Sequence, residues 1–287
     1  SETIETCYVT DGVRHLIGFV TIRTIILSDE KAKIEEVMNR NVISVSTTED
    51  QETVANLFAK YDLTVLPVVD NEKRIVGIVT VDDAIDVLQR EATEDIEKMA
   101  AITPSDKPYL KKTTLEIWKS RIPWLLILMV SATFTGMIIS HFEDALKAYV
   151  VLTAYIPMLM DTGGNSGSQT SVTVIRSLSL HELGFSDIFR VVWKEFRVAF
   201  LCSFTLALVY FLKLMLFDGT GIYVALVICV TLILTVFIAK LVGCILPMAA
   251  KKIGFDPAVM ASPFITTIVD AISLLIYFNI ANLVLHF

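Results

Sequence analysis

One acidic residue, Asp270, stands well inside the last long apolar run of this sequence (258–287), about a dozen residues from its start. A carboxylate in hydrocarbon is expensive and by default marks an ion or proton path. Pro263 precedes it, in Ser262-Pro263-Phe264-Ile265-Thr266-Thr267. A proline inside a helix leaves a carbonyl one turn earlier without its donor. A carboxylate with freed carbonyls is a hard-oxygen set, suited to Mg2+ or Ca2+ rather than to soft metals. A second unusual stretch is 157–169, where Gly163, Gly164, Asn165, Ser166, Gly167, Ser168 and Gln169 interrupt an apolar run. Unwound backbone at membrane depth is tolerated where it lines a cavity, so a broken span forming a pore or binding element is expected. A kink with close helix packing is the other reading.

A third group is the acidic run Asp82, Asp83, Asp86, Glu91, Glu94, Asp95 and Glu97. At helical spacing Asp82 and Asp86 share a face, as do Glu91, Glu94 and Asp95, and like charges so placed repel. Such a run can be a solvated face. It can also share a divalent cation, whose occupancy then becomes a conformational signal. Just before it, Thr80 and Asp83 suit a helix N-cap with an acidic residue three positions on.

The elements that would carry these groups differ in kind. Overall 54% of the 287 residues are hydrophobic, 19% are charged and the net charge is −7; the mean hydropathy is +0.64. Residues 1–120 hold 22 acidic and 14 basic side chains, whereas 121–287 hold 9 and 10. Intrinsic disorder, a collagen and a disulfide scaffold are excluded, and an acidic polar half disfavours nucleic acid as a partner. Cys7, Cys202, Cys229 and Cys244 form no C-x-x-C pair, and His15, His141, His181 and His286 are scattered, so no metal site is expected from them. Five spans are predicted: 122–140, 145–160 resuming near 169–178, 198–217, 221–250 and 258–287. Lys111, Lys112, Lys119 and Arg121, then Arg176, Arg190, Lys194 and Arg197, then Lys251 and Lys252 collect on one side. The positive-inside rule makes that side cytoplasmic and puts the C-terminus outside.

The polar half repeats itself. Tyr8 to Thr21 matches Pro67 to Thr80 at a constant offset of 59 residues, each copy reading strand, Asp-containing tight turn, strand, Gly-x-Val-Thr, helix. Strand-like 42–45 and a helix at Gln51–Tyr61 precede the second copy. This resembles a pair of CBS motifs, the second complete (38–92) and the first reduced to its C-terminal half (1–37), as in a truncated chain. In many CBS motifs the Thr and Asp of G-x-x-T-x-x-D reach a nucleotide ribose or phosphate. The resemblance assigns that role, toward AMP or ATP, to Thr80 and Asp83; the first copy keeps Thr21 but has Thr24 in place of Asp.

The order of CBS pair, acidic helix and five spans, with P-x-L-x-x-x-G-G-N-x-G-x-Q at Pro157–Gln169 and D-P-A…P-x-x-T-x-x-x-D from Asp256 to Asp270, resembles the MgtE family of magnesium channels and transporters. The resemblance covers nearly the whole chain, without the family's acidic N domain. It implies a membrane α-helical bundle of five transmembrane helices (121–287) preceded by a cytoplasmic α/β CBS-type domain and a connecting, plug-like helix (93–120, centred on 102–119). It implies a homodimer in the lipid bilayer of a bacterial inner or plasma membrane. Its pore ion site would use Asp270, Gly164, Asn165 and Thr266. Its cytoplasmic Mg2+ sites would use Glu52, the Ala59 carbonyl, Asp62, Asp83, Asp86, Glu91, Glu94, Asp95 and Asp256, with partners of Asp83 lost along with the N domain. Ser273 stands where the family often has Gly. Mg2+ is then both substrate and regulator, and no catalysis is implied. The alternatives are transport of Mn2+ or Co2+, a nucleotide receptor without transport, and an intramembrane aspartyl protease using Asp161 and Asp270, whose Met160-Asp161 and Val269-Asp270 contexts do not match that class.

Overall fold

A computed structural model describes residues 5–285, and the chain divides into two compact units, Ser1–Thr93 and Glu94–Phe287. His286 and the last residue of the expected fifth span lie outside the described residues.

The first unit follows the repeat. β1 (Thr6–Thr10) pairs antiparallel with β2 (Leu16–Thr21), which leads into the short helix α1 (Ile22–Leu27); α2 (Ile34–Val37) is a single turn. β3 (Val45–Ser46) pairs parallel with β4 (Val65–Val69), which pairs antiparallel with β5 (Ile75–Thr80). Between them α3 (Gln51–Tyr61) begins at Asp50, whose carboxylate accepts from the backbone N–H of Glu52 and Thr53 at 3.1 and 3.2 Å. Such a cap satisfies donors that the first helical turn leaves over.

The two turns of the repeat are built alike. Asp11 accepts from the N–H groups of Val13 and His15, and Asp70 from those of Glu72 and Arg74. The left-handed residues Arg14 (φ 71) and Lys73 (φ 60) stand at the 59-residue offset. Leu16 N–H donates to the Lys73 carbonyl at 3.1 Å, and Ile75 N–H to the Arg14 carbonyl at 3.1 Å. Each copy thus satisfies backbone groups of the other, while Val45, Ala55, Phe58, Leu66 and Ala84 form the apolar core beneath the three-stranded sheet. The acidic run lies on α4 (Val81–Met99), within which the division between the units falls.

The second unit is helical. α5 (Thr114–His141) starts with a reciprocal cap between Thr113 and Glu116. α6 (Glu143–Ala148) and a 3-10 turn lead to α7 (Ile156–Ser179), followed by α8 (Ile188–Lys213), α9 (Ile222–Lys252) and α10 (Ser262–Leu285). Among the described residues four helices are long and apolar enough to cross a membrane: Thr114–His141, Phe185–Asp218, Ile222–Lys252 and Pro257–Leu285. The expected count of five is therefore not reached. The shortfall is α7, long enough at 24 residues but too rich in Gly, Ser, Thr and Gln to qualify by apolarity. It packs against α9 and α10, α8 packs on α9, and α5 packs on α10.

Three local expectations are corrected. The glycine-rich stretch is not a break: α7 is helical throughout, because its glycines let neighbouring helices approach. Pro263 is not inside a helix but at the second position of α10, where a missing N–H removes no helical bond. The segment expected as a connecting helix is not one helix: α4 ends at Met99, a 3-10 turn occupies Tyr109–Lys111, and α5 has begun by Thr114.

Candidate functional site in the membrane helices

α7 and α10 run antiparallel along a series of polar contacts. Ser168 and Ser262 share a hydrogen bond of 2.8 Å between their hydroxyls. One turn along, a Cβ added at Gly164 would lie 2.9 Å from Thr266 Cγ2 and 3.2 Å from its Oγ1. Next, a Cβ at Gly163 would lie 2.8 Å from Val269 Cγ1 and 2.6 Å from Thr235 Cγ2 on α9. At Gly167 the nearest atom would be Ile265 Cγ2 at 2.7 Å, and the carbonyl of Gly167 in turn leaves no room for a side chain at Gly243. These glycines bring backbones together where any side chain would hold them apart.

Asp270 follows Thr266 by one turn of α10 and is half-buried. Its Oδ1 is buried and has no hydrogen-bond partner among the described residues. Thr266 and Thr267 turn their hydroxyls back onto the carbonyls of Ser262 and Pro263, at 2.8 and 3.0 Å. Asn165 is exposed on α7, one residue beyond the Gly164–Thr266 contact. The expected pore residues Gly164, Thr266 and Asp270 are thus brought to one stretch of the α7–α10 pair, with Asn165 beside it. Ser273, buried, turns its hydroxyl onto the Val269 carbonyl at 2.6 Å.

Part of the expected regulatory set also converges. The Lys98 ammonium sits 2.5 Å from Glu94 Oε1 and 2.5 Å from Asp256 Oδ2. Asp95 accepts from Ser179 Oγ at 3.1 Å. Burial pushes the Asp95 carboxyl above its ordinary range; the Ser179 hydrogen bond and Lys98 oppose this, and the charges of Asp256 and Glu94 add to it. Burial works against the charge on Lys98, but the bonds to Asp256 and Glu94 hold its affinity for the proton above the ordinary lysine range. Asp256 also caps the turn before α10, accepting from Ala258 N–H at 2.8 Å.

The other expected residues are dispersed. Glu52 is in the first turn of α3, Ala59 in its last, and Asp62 ends it in the left-handed conformation at φ 51. Glu91 accepts from Gln51 Nε2 at 2.7 Å. Thr80 is buried and donates to Asp83 Oδ2 at 2.9 Å. Among the described residues no three His, Cys, Asp or Glu side chains stand together as a metal-binding group.

Sequence reasoning missed one group. Lys240, on α9, is only 5% exposed. Its ammonium lies 3.3 Å from Thr170 Oγ1 on α7 and 3.8 Å from Glu195 Oε2 on α8, and Thr170 donates to Glu195 at 2.9 Å. The signal was there to read: Lys240 is the sole charge in 221–250, and an ionisable side chain in such a run needs a partner.

A family model described as MgtE, divalent cation transporter, matches residues 156–280, and a CBS domain model matches 34–90. The magnesium transporter MgtE of Thermus thermophilus is 42% identical over 286 residues, covering 100% of this chain and 63% of the relative. The Bacillus subtilis magnesium transporter MgtE is 39% identical over 290 residues, with the same two coverages. The chain spans about 63% of the length of these curated relatives. A crystal structure of the cytosolic domain of the Mg2+ channel MgtE in complex with ATP is 52% identical, covers 30% of this chain and 35% of that one, and superposes with a TM-score of 0.30.

Proposed function

The chain belongs to the MgtE family of divalent cation transporters, and from that premise we propose that it conducts Mg2+ across the membrane as a homodimer, with Asp270 at the ion site. The carrying observation is the buried, unpartnered Oδ1 of Asp270 beside the tight Gly164–Thr266 contact. A carboxylate held without a donor in a membrane helix is poised for a cation. Mg2+ gives up water reluctantly, so the ion is taken with its hydration shell. Asp270 balances its charge through water, and the Asn165 amide oxygen and backbone carbonyls accept hydrogen bonds from the O–H groups of that shell. Two subunits supply two copies of Asp270, matching the ion's charge. Membrane potential drives entry: at about 2.3 kcal/mol per charge per 100 mV, a divalent ion gains about 4.6 kcal/mol. The C-terminus is then external. The same oxygen chemistry admits Mn2+ or Co2+ as substrates.

Cytoplasmic Mg2+ closes this pore by occupying carboxylates of the CBS unit and α4. Glu52, the Ala59 carbonyl, Asp62, Asp83, Asp86, Glu91, Glu94, Asp95 and Asp256 are the residues of this reading, and its support is the meeting of Glu94 and Asp256 around a cation, here the chain's own Lys98. Nucleotide binding at the CBS unit through Thr80 and Asp83 is part of the same reading and rests on the repeat.

The test of conduction is Mg2+ flux into proteoliposomes under an imposed potential. Asp270→Asn is expected to abolish flux while the protein still elutes as the wild-type oligomer. Wild-type flux in that variant overturns the assignment of Asp270.

A further inference from the structure

α7 carries a second membrane carboxylate. Asp161 is exposed, and among the described residues no cation or hydrogen-bond donor pairs with it. Two residues on, Gly163 lies so close to Val269 that an added Cβ would come within 2.8 Å of its Cγ1, which brings Asp161 near the part of α10 that carries Asp270. It does not stand on bare surface: Asp161, Thr162, Asn165 and Gln169 of α7 face Cys202 and Thr205 of α8 across a cavity of about 510 Å³. Ser166, Leu201 and Leu206 complete the wall. Positions 161, 165 and 169 are one turn apart, so a carboxylate and two amides follow one another down a single face.

We propose that this cavity holds a hydrated divalent cation on Asp161, a second ion site beside that of Asp270. The donor set is carboxylate, amide and hydroxyl oxygen, which suits a hard cation. Six waters at about 30 Å³ each need roughly 180 Å³, so the ion enters with its shell intact. The amides and hydroxyls then bond to water, and only the carboxylate is needed to balance charge. Two carboxylates within electrostatic reach repel each other in low dielectric, and a divalent ion relieves that more fully than a monovalent one. Asp161 therefore raises the local concentration of divalent ions next to Asp270 and sets how much Mg2+ half-saturates the flux.

The inference rests on the reading of Asp270 as the transport site, and the test separates the two. Cys202 lines the cavity and is partly accessible, Cys7 is exposed, and Cys229 and Cys244 are buried. In a Cys7→Ser background in lipid nanodiscs, a cationic, membrane-impermeant methanethiosulfonate is expected to modify Cys202. Millimolar Mg2+, compared with Na+ at equal ionic strength, is expected to slow that modification several-fold. Asp161→Asn is expected to remove the slowing and to raise the Mg2+ concentration for half-maximal flux about tenfold. Asp270→Asn is expected to abolish flux and keep the slowing. A Cys202 that does not react would mean a dry cavity and overturn the proposal, as would Mg2+ protection that persists in Asp161→Asn. Flux that survives Asp270→Asn would overturn the transport-site reading instead.

Discussion

Gly164 of α7 lies against Thr266 of α10 so closely that a Cβ at 164 would come within 2.9 Å of the threonine methyl. Gly163 and Gly167 are as crowded, against Thr235, Val269 and Ile265. A helix carrying this many small and polar residues has little apolar surface of its own, so close backbone approach supplies its packing.

Gly164→Ala should therefore destabilise by about 1–3 kcal/mol through overpacking and lower flux by shifting α7 from Asp270. Thr266→Ser removes the nearest methyl, leaving the hydroxyl at 3.2 Å and the residue's own Cβ at 3.5 Å from the added Cβ. The double variant Gly164→Ala/Thr266→Ser should recover thermal stability and part of the flux. Unfolding midpoints of the purified protein and proteoliposome flux check this. A double variant no better than the single one would show that the contact is not what limits position 164.

The Lys240–Thr170–Glu195 group, with Lys240 and Thr170 buried and Glu195 part-buried, ties α7, α8 and α9. Lys240→Met leaves Glu195 without its counter-charge, and breaking one side of a buried pair costs about 3–5 kcal/mol. The neutral double variant Lys240→Met/Glu195→Gln removes both charges and should restore most of the thermal midpoint, since replacing a whole buried pair is often neutral. The midpoints of the three proteins decide it. Equal losses in single and double variants would mean that the two side chains do not act as a pair.

The sequence displayed the repeat because its turns need particular chemistry. Asp11 and Asp70 each satisfy two N–H groups, and 59 residues separate the left-handed positions Arg14 and Lys73. Gln51–Tyr61 was legible for the same reason, with Asp50 marking its start. The continuity of α7 was not legible. Local propensity counts Gly163, Gly164 and Gly167 against a helix, and only the facing side chains of Thr235, Ile265, Thr266 and Val269 show why glycine belongs there. Pro263 misled likewise: its effect depends on where the helix begins, and α10 begins one residue before it. The site residues Gly164, Thr266 and Asp270 could be picked out by type, but the ammonium of Lys98 between Glu94 and Asp256 joins positions 158 residues apart, a distance that no periodicity spans.

Asp95 gives a pH signature. Burial raises its carboxyl above the usual carboxylate range, so the folded state holds the proton better than the unfolded chain does. From the ordinary unfolded value of about 3.9 up through the folded value, rising pH then removes protons from the folded state last. Over that window Asp95 makes the protein less stable as pH rises, and above it the penalty is constant. Asp95→Asn should abolish this contribution, so the variant gains on wild type between pH 4 and neutrality. Thermal midpoints of both proteins across that range check the sign. A midpoint difference that does not change with pH would mean that Asp95 titrates normally.

The gating reading makes an unusual demand of Lys98. Its ammonium lies 2.5 Å from both Glu94 and Asp256 and offsets one of their two negative charges. If these carboxylates report cytoplasmic Mg2+, Lys98 competes with the ion for the same oxygens. Lys98→Met removes the competitor and leaves Glu94 and Asp256 to repel one another, so Mg2+ should bind them more tightly and half-inhibit flux at a roughly tenfold lower concentration, about 1.4 kcal/mol. Glu94→Gln/Asp256→Asn should move the half-inhibition the other way, because the oxygens that remain carry less charge. A passive structural bridge behaves differently: both changes would then loosen the same contact and shift inhibition in the same direction. Flux measured against cytoplasmic Mg2+ in the two variants separates the cases by sign alone, and shifts of like sign would show that the Lys98 cluster fastens α4 without sensing the ion.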